Sequence, residues 1–210
     1  MTDIKFEKDY QAQGFQKIVG IDEVGRGCLF GDVVAACVLM PLDDLIPGIR
    51  DSKKLTAKKR EALYDQIRDR ALAIGLGQLG PQEIDRINIK EATRQAMVQA
   101  LENLRTPEGT PLEADFVLVD AESLAINLPQ AALIGGDDLS YSIACASIVA
   151  KVTRDRLCQD WDQAYPGYDL AKNKGYGTKA HREALLLKGP SPYHRQTFLK
   201  KILRGAGHEK

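Results

Sequence analysis

Residues 18–40 read IVGIDEVGRGCLFGDVVAACVLM. Two runs rich in Val and Ile, 18–24 and 32–40, bracket a Gly-rich segment. β-branched residues favour strands and glycines favour the turn between them, so the stretch predicts a β-hairpin. The first strand is expected to end on two adjacent acids, Asp22 and Glu23, followed by Gly25-Arg26-Gly27. Adjacent strand residues face opposite sides. Both acids can line one site only where the strand bends or ends, which Gly25 permits.

The rest of the chain alternates helix and strand signals. Thr56 is a candidate N-cap for a helix through residues 57–71. Residues 72–79 suit a third strand. Apolar residues at 89, 92, 96, 97, 100, 101 and 104 predict an amphipathic helix. FVLVDA (116–121) reads as a short buried strand and AALIG (131–135) as a weaker one. Residues 140–164 predict a long helix stopped by Pro166-Gly167. Beyond it lie the loop KNKGYGT, a helix from Thr178 to Leu187 and the broken stretch KGPSPYHRQTF. This order predicts an α/β fold with a mixed sheet layered with helices.

The 210 residues contain no apolar run near the roughly 20 needed to span a bilayer. The first 16 residues are polar and mixed in charge, so no secretory signal is expected there. Cys28, Cys37, Cys145 and Cys158 show neither C-x-x-C nor zinc spacing, which predicts free buried thiols in a reducing cytoplasm. Net charge is zero but unevenly placed. Residues 1–150 hold 16 Lys and Arg against 23 Asp and Glu, and residues 151–210 hold 13 against 6. A basic flank beside an acidic centre suits a polyanion and a cation; a merely solvated charge distribution is the alternative.

Asp120 closes FVLVD as Asp22 closes the first strand, and Asp137-Asp138 follow a strand-like run and two glycines. Charges at buried strand ends need a partner or a metal. Three distant acids without a neighbouring histidine suit a hard cation such as Mg²⁺ or Mn²⁺. His181, His194 and His208 all lie in the basic tail, which argues against zinc. The same acids are also common turn formers and helix N-caps, and spacing alone does not separate the two readings. Glycines flanking Arg26 would let backbone N–H groups approach a phosphate or sugar. DSKKL and KNKGYGT are further loops of phosphate-binding residue types. Tyr176, between Gly175 and Gly177, is placed either to stack on a sugar or base or to anchor its loop.

Six blocks in order resemble the ribonuclease HII family: GIDEVGRGCLFGDVVAACV, DSKKL, VLVDA, GGDDLSYSIACASIVAKVTRDR, NKGYGTKAH and GPSPYHRQTF. They span the chain from Ile18 to about Phe198. The resemblance implies a ribonuclease H-like mixed β-sheet layered with helices, plus a small helical C-terminal part. Residues 1–165 would form the catalytic core and residues 166–210 a basic helical region packed on it. It implies cleavage of the RNA strand of RNA–DNA hybrids, and cutting 5′ of ribonucleotides embedded in duplex DNA. One or two Mg²⁺ or Mn²⁺ ions would be needed, and the ends left would be 5′-phosphate and 3′-hydroxyl.

By the same resemblance Asp22, Glu23 and Asp120 are catalytic, metal-holding acids. The fourth is Asp137 rather than Asp138, from a Gly-Asp step ten residues before Ser147. Gly25, Arg26 and Gly27 would read the ribonucleotide, and Tyr176 would stack on the adjoining deoxyribose. Ser52 and Lys53, with Lys54, would meet the duplex backbone. Cys28 stands where the family commonly has proline, and Gly135 where a lysine often precedes Gly-Asp. A cytoplasmic monomer acting on nucleic acid, with no membrane and no obligate protein partner, is expected. Another metal phosphoesterase of this fold class, or a non-catalytic hybrid-binding module, are the competing readings.

Overall fold

The computed structural model describes residues 2–205. Its centre is the predicted hairpin: β1 (Ile18–Val24) pairs antiparallel with β2 (Val33–Leu39), Ile21 opposite Cys37. β3 (Ala73–Leu79) adds antiparallel to β2. β4 (Phe116–Asp120) and β5 (Gln130–Leu133) add in parallel on the other side of β1. The order β3-β2-β1-β4-β5 makes one mixed sheet of five strands, layered with helices as the sequence predicts.

The helices are α1 (Lys5–Gln11), α2 (Ala57–Arg70), α3 (Pro81–Ile87), α4 (Ile89–Glu102), α5 (Gly136–Leu139), α6 (Tyr141–Ala164), α7 (Leu170–Asn173), α8 (Lys179–Lys188) and α9 (Gln196–Gly205). Strand alternation divides their work. Val19, Ile21, Ala35, Cys37, Val117 and Val119 face α4, which answers with Ala92, Ala96, Met97 and Ala100. Ala36 and Val38 face the small residues of α6, Ala144 to Ala150. Alanines on both helices let them lie close to the sheet. Gly20 takes this to its limit: a Cβ there would lie 2.2 Å from the Ser142 carbonyl carbon.

α2 begins where Thr56 predicts, its hydroxyl accepting from the Lys59 N–H. α6 begins at Ser140, whose hydroxyl accepts from the Ile143 N–H. Glu7 of α1 reinforces that end. Its Oε1 accepts from the Ser140 hydroxyl at 2.6 Å and the Ser142 N–H at 2.9 Å, a buried carboxylate at the positive end of a 24-residue helix.

Five helices depart from the sequence reading. α1 shows no apolar stripe there, α3 is a separate helix ahead of α4, the short α5 and α7 fall where the sequence reads as a glycine pair and the start of a loop, and α9 starts inside the stretch read as broken. The N-terminus of α9 is capped from far away: Asp85 of α3 accepts from the N–H groups of Gln196 and Thr197. Such a cap leaves no local signal. Past residue 166, Tyr168, Leu170, Leu185 and Leu199 pack on Leu29, Phe30, Cys158 and Trp161. The C-terminal segment therefore rests on the β1–β2 connection. All four cysteines are buried and free, as expected. Among the described residues no helix is long and apolar enough to cross a membrane. His208 lies outside the described residues.

Candidate active site

The parallel ladder of β1 and β4 ends at Ile21 opposite Val119. The next residue on each strand is an acid, so Asp22 and Asp120 come side by side. β1 itself does not end there, contrary to the sequence expectation. It continues in unbroken register with β2, Glu23 opposite Ala35 and Val24 opposite Val34. It is β4 that stops. By alternation Asp22 shares the α6 face with Gly20, and Glu23 the α4 face with Ile21. With no β4 residue beyond Asp120 between them, the two faces open into one space. Carboxylate oxygens of Asp22, Glu23 and Asp120 all lie within 4.8 Å of one another.

Two of the three acids are held by the backbone as well. Asp22 Oδ1 accepts from the Glu23 N–H at 2.7 Å, and Asp120 Oδ1 from the Gly136 N–H at 2.7 Å. Asp137 enters from α5, buried, with Lys53 Nζ 3.2 Å from its Oδ2. Asp138, next in sequence, points elsewhere: its half-exposed carboxylate pairs with Lys54 at 2.6 Å. The two neighbours thus lie in different surroundings, Asp137 beside the three-acid group rather than in it and Asp138 away from it.

Burial and mutual repulsion set the electrostatics of the cluster. Burial pushes the Asp22 carboxyl well above the usual carboxylate range; the charges of Glu23 and Asp120 add to this, and the Ser147 hydroxyl and Glu23 amide oppose it. Burial also raises Glu23, with Arg26 opposing and Asp120 adding. Asp120 is raised chiefly by burial, against the Gly136 N–H, and further by Asp137. Three carboxylates that repel one another in one partly desolvated space are a donor set for a hard divalent cation. The residues present therefore fit such an ion.

The Gly-Arg-Gly turn leads directly out of β1. Gly25 sits at φ +95°, and a Cβ there would lie 2.3 Å from Arg154 Nε, so glycine is required twice over. Arg26 reaches back to Glu23 at 3.3 Å and sideways to Glu122 at 3.6 Å. Gly27 is different. A Cβ built on it meets nothing nearer than Tyr176 Cε1, at 4.0 Å. The half-exposed Tyr176 ring and the Gly27 backbone are two walls of one gap. Lys53 is well exposed at the rim. Ser52 is not brought there: it is buried, with its hydroxyl 2.9 Å from that of Ser147.

Several residues around the site were not singled out from sequence. Glu122 is buried and pairs with Arg94 at 3.0 Å as well as Arg26. It follows Ala121, a non-glycine at φ +52°, which turns the chain back at the end of β4. The second acid of VDAES was the available signal. Arg154 is fully buried and donates to the carbonyls of Phe30, Asp32 and Lys174. His181 and His194 are buried against each other, Nε2 to Nε2 at 3.1 Å. Burial lowers both, His194 to about 4, where the neighbouring His181 adds to the effect.

A family model described as ribonuclease HII matches residues 19–201. The chain is 54% identical over 203 residues to a ribonuclease HII of Alkaliphilus oremlandii, covering 97% of this chain and all of that one. It is 53% identical to a ribonuclease HII of Alkaliphilus metalliredigens, over 97% of this chain and all of that one. The crystal structure of ribonuclease H2 from Pyrococcus horikoshii superposes with a TM-score of 0.74 at 25% identity, covering 92% of this chain and all of that one.

Proposed function

Because this chain belongs to the ribonuclease HII family, hydrolases that act on RNA, we propose that it cuts the RNA strand of RNA–DNA hybrids at the three-acid site and also cuts 5′ of single ribonucleotides in duplex DNA. The observation that supports this most is one of adjacency. Asp22, Glu23 and Asp120 converge within 4.8 Å at the strand end from which the Gly-Arg-Gly turn departs. A recognised sugar therefore lies next to the reacting phosphate. Family membership sets aside the non-catalytic binding module.

In this reading Asp22, Glu23 and Asp120 hold Mg²⁺ or Mn²⁺, with Asp137 beside them. When bound, the ion supplies Lewis-acid activation of water and neutralises charge on the phosphate. The chain's own groups do the rest. Backbone N–H and C=O groups of Gly25 to Gly27 meet the 2′-hydroxyl, the sugar group that separates RNA from DNA. The open side of Gly27 admits that approach. Tyr176 stacks on the neighbouring sugar. Lys53, now paired with Asp137, is placed to contact backbone phosphate. Products carry 5′-phosphate and 3′-hydroxyl ends. Residues 1–165 hold the acids, and the region 166–210, rich in Lys and Arg, contributes Tyr176.

The two neighbouring aspartates test the assignment. Asp137→Asn removes a buried carboxylate whose charge acts on Asp120, while Asp138→Asn removes only a half-exposed ion pair with Lys54. Single-turnover cleavage of a one-ribonucleotide duplex is expected to fall at least about tenfold for Asp137→Asn, roughly 1.4 kcal/mol, and less than about threefold for Asp138→Asn. Equal losses in two folded variants would refute the distinction.

A further inference from the structure

We propose that the dipeptide His194-Arg195 is the positioning element that sets the gap between the Gly-Arg-Gly turn and Tyr176, and so the fit of the ribonucleotide; this rests on the site reading above. The two residues hold opposite walls of that gap. Arg195 is fully buried, and its Nε–H donates to the Gly31 carbonyl while Nη1–H donates to the Arg26 carbonyl, each at 2.9 Å. A planar guanidinium fixes both carbonyls in one geometry, which an ammonium cannot. The Arg26 peptide is the middle of the turn.

His194 reaches the other wall through His181. The Ser191 N–H donates to His194 Nδ1 at 3.0 Å, so that nitrogen is bare. Its proton therefore sits on Nε2, which donates to His181 Nε2 at 3.1 Å. His181 Nδ1–H then donates to the Tyr176 carbonyl at 3.0 Å. A backbone donor at one end and a backbone acceptor at the other fix both tautomers. The relay has one direction and ends on the residue whose ring faces Gly27.

The backbone ties the same parts together. Phe30 and His194 form an isolated antiparallel bridge, the Arg195 N–H donates to the Leu29 carbonyl at 2.9 Å, and the Leu29 N–H donates to the Gly175 carbonyl at 2.8 Å. The connection after the turn is thus held between the Tyr176 loop and residues 193–195. Among the described residues nothing hydrogen-bonds the buried Arg195 Nη2, which makes the arginine costly for stability alone. A leucine or methionine would fill such volume without that cost. A Cβ built on Gly27 would have Tyr176 Cε1 as its nearest neighbour, at 4.0 Å, so the turn and that ring face each other directly.

The test is a double-mutant cycle in single-turnover cleavage of a DNA duplex carrying one ribonucleotide, with Mg²⁺. His194→Phe keeps a ring against Phe30 and Tyr168 but deletes the relay. It is expected to lower the rate at least about tenfold in the wild-type background and less than about twofold beside Tyr176→Ala, because both changes remove the same wall. Arg195→Lys is expected to lower it at least about tenfold as well, since charge without the fork does not hold both carbonyls. Additive losses in the cycle, or wild-type rates for the two single variants, overturn the proposal while the wild-type enzyme still cuts. A wild-type chain that does not cut overturns the site reading itself. Where His194→Phe does not fold, imidazole nitrogen NMR of the wild-type chain replaces it. The relay then predicts unprotonated Nδ1 on His194 and Nε2 on His181, with both resonances moving when a metal-free one-ribonucleotide duplex is added. Other tautomers, or unmoved resonances, overturn it.

Discussion

Asp120→Asn is expected to abolish cleavage, a loss of at least about a thousandfold or roughly 4 kcal/mol of transition-state stabilisation, while the chain stays folded and still binds hybrid. The substitution is nearly isosteric. An asparagine oxygen can still accept from the Gly136 N–H that now bonds Asp120 at 2.7 Å. What disappears is one of three carboxylate charges converging within 4.8 Å. A cation held there would lose a ligand, and Asp22 and Glu23 lose a charge that raises both. Metal-free Asp120→Asn should therefore melt no lower than the wild-type chain, and hybrid binding in chelator should be as tight or tighter. This is the expected pattern where a site holds like charges together for function at the expense of stability. Normal cutting by the variant in Mg²⁺ would remove Asp120 from the metal site.

The second large effect lies in the fold beneath the acids. Gly20→Ala is expected to destabilise the chain by roughly 3 kcal/mol, the upper part of the range for overpacking. The new Cβ would lie 2.2 Å from the Ser142 carbonyl carbon, 2.3 Å from the Ile143 nitrogen and 2.4 Å from the Ser142 oxygen. All three are backbone atoms in the first turn of α6, so no side chain can swing away. The helix must lift from the sheet. For a chain of this size the thermal midpoint should fall by about 6–12 °C. Activity should fall too, because α6 carries Ser147, whose hydroxyl acts on the Asp22 carboxyl. A midpoint within about 2 °C of wild type would show that the two layers are not rigidly packed there.

Much of this arrangement is legible in the residues, for identifiable reasons. The hairpin shows as two Val-rich runs around glycines. α4 shows as an apolar stripe, and α6 as a small-residue face ending at Pro166-Gly167. These are local or periodic signals. α9 is hidden because its cap, Asp85, is 111 residues away from Gln196. α1 is hidden because its one deeply buried residue is an acid, Glu7, working on another helix. The meeting of Asp22 and Glu23 was expected from an ending strand and arises from an ending neighbour, a fact of register that β1 alone does not encode. Ser52 looks like a phosphate contact in a lysine-rich loop, yet its hydroxyl is buried on Ser147. Arg154, Arg195 and the histidine pair escape a sequence reading because they hold backbone carbonyls, which any residue type supplies.

The measurement that bears most directly on the account uses the wild-type chain and an end-labelled DNA duplex containing one ribonucleotide. An all-DNA duplex of the same sequence serves as the control, and both are run with Mg²⁺, with Mn²⁺ and with chelator. The arrangement of Asp22, Glu23 and Asp120 beside the Gly-Arg-Gly turn predicts a single cut 5′ of the ribonucleotide, with a 3′-hydroxyl on one fragment and a 5′-phosphate on the other. It predicts that cut only when a divalent ion is present and only in the ribonucleotide-containing duplex. Cutting that persists in chelator, or equal cutting of the all-DNA duplex, would contradict it.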